Sequence, residues 1–330
     1  MMCGARRTGA VPAEGGVNIP VCLPHGGRMW VTGQDGKLYA SADGSAWDCV
    51  GQPAWAPRHA SGHTVFAGRM WVMGGAGRGG VRNDVWSSAD GEDWTQELTE
   101  APWSPRMVFS NLVVHRERMW LIGGGVQGYH PFKGYRDVWS TADGVHWEEA
   151  TDTAPWAGRI WSSCATYRDR MWLLGGFRAQ PTWNNFDDVW YSADGENWSR
   201  LETDDVWEPR HEISALVFDD GLWVIAGNAW PLMNDVWRLD IEGLTFVTRP
   251  VLEEHIGTAY RYDARADFHG DGGALRYRLL ESPEWLGVDA ETGSVRGRAP
   301  AAGDYRVAIE AAAGSGERVE QRYVLHVLGG

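Results

Sequence analysis

Lysine is almost missing from this chain. Of 30 basic residues only Lys37 and Lys133 are lysines, and 44 acidic residues leave a net charge of −14. A balance of that sign argues against nucleic acid as a partner, because phosphate binding needs a basic face. Arginine used in place of lysine is the compositional mark of a GC-rich bacterial genome. Cysteine is scarce too. Cys3, Cys22, Cys49 and Cys164 have neither paired nor metal-type spacing, so no disulfide framework, zinc site or other metal is expected. No apolar stretch reaches the roughly 18 residues that a membrane helix requires. Arg6 and Arg7 are not followed by the apolar segment of a secretory leader. These absences predict a soluble chain with no membrane partner, cytoplasmic as given or exported if a signal has been removed. A long apolar pattern of period 3.6 is also lacking, which argues for strands rather than helices.

What the chain does have is tryptophan, 21 residues of it, and most belong to one repeated phrase. Arg69-Met70-Trp71 leads to Gly74-Gly75, then Asp84-Val85-Trp86, then Ser88-Ala89-Asp90-Gly91 and Trp94. The phrase returns at Trp120 with Asp137-Val138-Trp139 and Asp143-Gly144, and at Trp172 with Asp188-Val189-Trp190 and Asp194-Gly195. A looser copy surrounds Trp30, and a decayed one runs from Trp223 through Asp235-Val236-Trp237 to Phe246. The lead tryptophans are about 41 to 52 residues apart, the period of a propeller blade. Each copy reads as four short strands; in the second these are about 60–66, 70–73, 84–87 and 94–97. The Ser-Ala-Asp-Gly segment is the hairpin between the third and fourth, with Asp bonding nearby amides and Gly accepting positive φ.

The glycine pair, the Asp-Val-Trp strand and the tryptophan of the fourth strand resemble the kelch repeat, and the Ser-Ala-Asp-Gly turn is similar to the Asp-box of sialidase-type propellers. The resemblance covers residues 17–249, after an N-terminal tail at 1–16. It implies an all-β, kelch-type β-propeller with five recognisable four-stranded blades, where kelch propellers usually have six or seven. Beyond residue 249 the phrase stops. In 250–330 the segments Leu275–Leu280, Pro283–Gly293 and Ala302–Tyr305 resemble a bacterial Ig-like or cadherin-like domain, which implies a C-terminal β-sandwich acting as spacer or adhesive module. Asp267 and Asp271 are reminiscent of cadherin calcium ligands, yet two acids fall short of the six to eight oxygens calcium takes.

A second phrase points to function. Trp55-Ala-Pro-Arg58, Trp103-Ser-Pro-Arg106, Trp156-Ala-Gly-Arg159 and Trp207-Glu-Pro-Arg210 each precede an innermost strand. On a propeller, Arg58, Arg106, Arg159 and Arg210, with Trp103, Trp156 and Trp207, would ring one mouth of the central channel. Guanidinium groups there suit a carboxylate, sulfate or phosphate, and the indoles suit a sugar or a cation. The alternative is that each Arg ties the blades together, as in kelch proteins generally. Val17 stands where a fifth Arg would be, so the ring is lopsided. Aromatic loops between second and third strands would add Tyr129, His130, Trp183, Asn185 and Trp230 to the ligand-binding set.

These residues predict a binding propeller for a carbohydrate, an acidic small molecule or a peptide, with no cofactor. The resemblance implies a rival, since kelch-like folds include a sialic-acid epimerase and a copper radical oxidase that carries an Ig-like domain. An epimerase, lyase or cyclase here would draw its acid and base from His211, Glu208, Asp187 or Tyr135. Cys164 and Tyr167 are the residues the copper oxidase reading would need, without a clear partner set. His59 and His63 share one side of a strand but stand roughly 13 Å apart, too far to hold one metal. A third reading is a scaffold whose ring face docks another protein.

Overall fold

The computed structural model describes residues 20–329 apart from 34, 78, 128–131, 202, 204, 220, 240–242, 247, 249 and 270–273, with the side chains of 243, 245 and 267–269 likewise outside the description. All of its regular secondary structure is β. The first sheet comprises Cys22–His25 (β1), Arg28–Thr32 (β2), Leu38–Ser41 (β3) and Asp48–Gly51 (β4). The second comprises Gly62–Phe66 (β5) and Arg69–Met73 (β6), a small hairpin Ala76–Gly77 (β7) and Gly80–Val81 (β8), then Val85–Ser88 (β9) and Thr95–Leu98 (β10). The third repeats this plan with Leu112–His115 (β11), Arg118–Ile122 (β12), hairpin Gly125–Val126 (β13) and Lys133–Gly134 (β14), Val138–Thr141 (β15) and Trp147–Thr151 (β16). The fourth uses Ser163–Tyr167 (β17), Arg170–Leu174 (β18), hairpin Phe177–Arg178 (β19) and Asn184–Asn185 (β20), Val189–Ser192 (β21) and Ser199–Arg200 (β22). In each of these the four long strands pair antiparallel in chain order. The inner strands β1, β5, β11 and β17 lie side by side in sequence, a propeller-like arrangement.

The fifth sheet corrects the sequence reading. It has three strands, Ser214–Phe218 (β23), Gly221–Asn228 (β24) and Leu232–Leu239 (β25), where four were expected. Gly243–Phe246 (β26), the expected fourth strand, pairs instead with Ala266–His269 (β29). The physical reason is local. After Trp237 the chain reads Arg238-Leu239-Asp240, with no Ser-Ala-Asp-Gly turn to fold it back onto β25. The chain accordingly divides between Arg238 and Leu239 rather than at 249/250.

The second unit contains two further sheets. Glu253–His255 (β27) runs parallel to Arg318–Leu328 (β34), which pairs with Gly303–Ala312 (β33) and then Arg276–Glu281 (β30). Ala259–Asp263 (β28), Ser294–Arg298 (β32) and Leu286–Val288 (β31) form the other. Alternate residues such as Tyr260, Tyr262, Val307, Ile309 and Leu325 fill its own core.

Within the first unit the repeated phrase explains how the sheets hold each other. In the second sheet Asp90 Oδ1 accepts from the amides of Glu92 and Asp93, and Ser88 Oγ accepts from Gly91 N at 2.8 Å. Asp43, Asp143 and Asp194 do the same, so these acids close turns rather than face a ligand. The turn glycine is where the preceding sheet's tryptophan packs. A Cβ on Gly91 would lie 2.4 Å from Trp30, one on Gly144 2.1 Å from Trp71, and one on Gly195 2.1 Å from Trp120.

Candidate functional site

The four arginines of the Trp-x-x-Arg phrase are buried inside the sheets. Arg58 Nη1 and Nη2 donate to Asp84 at 2.7 and 2.9 Å, Nη1 also to Gly74 O at 2.8 Å, and Nε to Trp55 O. Arg106 does the same with Asp137 and Gly123 O, Arg159 with Asp188 and Gly175 O, and Arg210 with Asp235 and Ala226 O. Their side chains are 0–1% exposed. Tyr135 and Phe186 cap the planes of Arg106 and Arg159, each at 4.0 Å. Burial alone would raise the Asp84 and Asp188 carboxyls, but the arginine hydrogen bonds outweigh it and hold both below the ordinary carboxylate range. Four of each guanidinium's five donors are thus committed within its own sheet. These arginines, expected to bind a ligand, are structural clamps.

Trp103, Trp156 and Trp207 are corrected in the same way. They are almost fully buried, and Trp103 and Trp156 stand edge-to-face against Trp147 at 6.1 Å and Trp198 at 4.7 Å. Such a T-shaped pair places positive ring edge against negative ring face, so both indoles belong to the core.

The residues just after the arginines join one sheet to the next. Ala60, Phe109, Trp161 and Glu212 occupy equivalent places and all have positive φ, between 53° and 56°. Non-glycine residues persist there only when their surroundings hold them. Here Phe109 N donates to Ala60 O at 2.9 Å and Glu212 N to Trp161 O at 2.8 Å, joining successive sheets. Phe109 and Trp161 meet edge-to-face at 5.5 Å, and Trp161 Nε1 donates to Gln127. Ala60, Met107, Ile160, Trp161 and Phe177 form an apolar cluster around them.

One sector differs. On the fourth and fifth sheets His211 Nδ1 lies 2.8 Å from Asn185 Oδ1, while Asn185 Nδ2 donates to Asn228 O at 3.3 Å. With its amide nitrogen committed, Asn185 presents its oxygen, so Nδ1 of His211 carries the proton and Nε2 the lone pair. Burial lowers the His211 pKa, with Glu212 opposing, and keeps the ring neutral. Phe177 stands 5.2 Å from His211 and 5.0 Å from Trp183. Trp183 and Trp230 are 76% and 75% exposed. Asn228 Oδ1 and Arg178 Nε are buried without a hydrogen-bond partner among the described residues.

Of the sequence candidates, the structure therefore brings together Trp183, Asn185 and His211, with Trp230 two residues beyond Asn228. It sets the others apart. Tyr135 caps Arg106, Glu208 is exposed and lends its carbonyl to Arg210 Nε, and Asp187 is half-buried beside the clamp carboxylate Asp188. Cys164 and Tyr167 are three apart on β17 and so point to opposite faces. Cys164 Sγ accepts from Asn111 Nδ2, and burial pushes its thiol far up. His59 is exposed, and His63 sits against Cys22 N at 3.4 Å. Tyr129, His130 and Asp271, with the side chain of Asp267, lie outside the described residues. Among the described residues no three His, Cys, Asp or Glu side chains converge as a metal cluster. The sequence also placed Phe177 and Asn228 at the start of the loops of this sector, but it missed Glu212. The signal for Glu212 was its place two residues after the clamp Arg210, the place that Ala60 and Trp161 hold after Arg58 and Arg159.

No protein-family model and no curated protein matches the sequence. Among solved structures, that of YjhT matches with a TM-score of 0.54 and 15% identity, covering 94% of this chain and 98% of that one. YjhT is a kelch-type propeller, and at this identity the likeness establishes a propeller-like all-β fold.

Proposed function

We propose that the first unit is a five-bladed kelch-type propeller that binds a carbohydrate at the mouth of its fourth and fifth blades, with the second unit an Ig-like spacer. The observation that carries this is the exposed Trp183, held on Phe177 beside the His211–Asn185–Asn228 network. A flat aromatic face next to amide and imidazole groups suits the apolar face and hydroxyls of a sugar ring. An acidic small molecule loses its main support, because the clamp arginines already hold carboxylates of their own. A glycan array followed by calorimetry tests the reading. Trp183→Ala should weaken binding by roughly tenfold or more, with Arg178→Ala and Asn185→Ala following. Failure of the wild-type chain to hold any glycan, or affinity unchanged in Trp183→Ala, sinks it.

The neutral His211 favours one further reading, an epimerase or lyase in which Nε2 takes a proton from the bound sugar. In that case NMR would show turnover of the bound glycan that His211→Ala abolishes while binding persists. Binding without turnover leaves the module a pure receptor.

A further inference from the structure

The interface between successive sheets is one heterologous contact used again and again, and the two ends of the array each expose one half of it. On the incoming side sit Met70, Met119, Met171 and Leu222, all at most 1% exposed against the preceding sheet's tryptophan face. Met29 holds the same place in the first sheet, which no sheet precedes among the described residues, and is 38% exposed. Pro24, paired with Met29 across β1 and β2, shares this face and is exposed too. On the outgoing side Phe66, His115 and Tyr167 end their inner strands 3–8% exposed, and Val85, Val138 and Val189 are 0–2% exposed. The fifth-sheet equivalents Phe218 and Val236 are 67% and 57% exposed. Trp223 there donates Nε1 to Phe218 O as Trp71 does to Phe66 O, yet no turn glycine among the described residues packs on it. Among the described residues β23 neighbours β17 and has no comparable contact with β1.

We infer that the fifth-sheet face of one copy docks on the first-sheet face of a second copy, continuing the inter-sheet interface from chain to chain. The occupant follows from the repeat. The surface that fits a Trp face in this protein is a Met face with an Asp-Gly turn, and in the first sheet Met29, the residue at the centre of that face, is exposed. A heterologous contact of this kind builds closed rings or open filaments rather than an isologous dimer.

Sedimentation velocity of the full chain over a wide concentration range tests this. The wild type should associate beyond a single chain. Phe218→Asp spoils only the outgoing face and Met29→Asp only the incoming one. Each alone should sediment as a single chain, and their mixture should recover a 1:1 dimer through the one intact pair of faces. Circular dichroism confirms that both variants fold. The inference is overturned by a wild type that stays a single chain, by association that survives both substitutions, or by a mixture that fails to pair. It does not depend on sugar binding, which Trp183→Ala reads separately.

Discussion

Replacing Arg159 by Met should break the fold long before it touches a ligand. The arginine side chain is 1% exposed, and its partner Asp188 is 14% exposed. The substitution keeps the apolar stem but strands the Asp188 carboxylate, which retains only Trp190 Nε1 at 2.8 Å, and it leaves Gly175 O without its donor. Removing one partner of a buried pair costs about 3–5 kcal/mol. At about 2–4 °C per kcal/mol for a unit of this size, Tm should fall by roughly 6–20 °C. Arg159→Met combined with Asp188→Leu should recover much of the loss, because replacing both charges removes the stranded carboxylate. Arg210→Met should cost less, since Asp235 is 36% exposed and water can take over. Calorimetry and urea unfolding on the single and double variants supply the cycle. If Arg159→Met melts within about a degree of wild type yet loses its ligand, the clamp assignment is wrong and the arginine faces the mouth after all.

Two further outcomes follow from the same geometry. Gly144→Ala should destabilise by about 1–3 kcal/mol from overpacking against Trp71, on top of left-handed strain at φ +84°. Gly68→Ala, at φ +72° with nothing within 4 Å, carries the strain alone, so urea midpoints no different between the two would contradict the packing account. Acid is the other probe. Arg210 hydrogen bonds hold the Asp235 carboxyl down at about 2 against an ordinary 3.8 despite opposing burial, and Asp84 and Asp188 are lowered too. A depressed carboxyl contributes stability that is present above its unfolded pKa and lost as pH falls through the folded one. Tm should therefore hold from neutral pH down to the ordinary carboxylate range and then drop toward pH 2, less steeply in Asp235→Asn. An equal slope in that variant would remove the clamps from the explanation.

Much of the architecture could be read from the chain because its signals are local. The Ser-Ala-Asp-Gly turns close through hydrogen bonds two and three residues along, and the strands they join alternate or run apolar within four or five residues. The same locality explains the loss of the fifth sheet's fourth strand. Without a turn after Trp237, Phe246 had no reason to return, although its alternative partner on β29 was not legible.

The site was less legible because its contacts are distant. Arg58 and Asp84 are 26 residues apart, Arg106 and Asp137 are 31, and no spacing rule separates a clamp from a ligand-binding arginine. The sequence by itself determined which residues repeat, and so the strands, the turns and their β-only character. Only the tertiary structure decided which of the repeated residues are buried. Burial turned the arginine ring into internal ion pairs and left Trp183 exposed on the fourth sheet, near the hydrogen-bonded Asn185 and His211, as the groups proposed to meet a ligand. A repeat is copied because the interface between sheets demands it, and chemistry that serves a ligand is left to the positions where the copies differ.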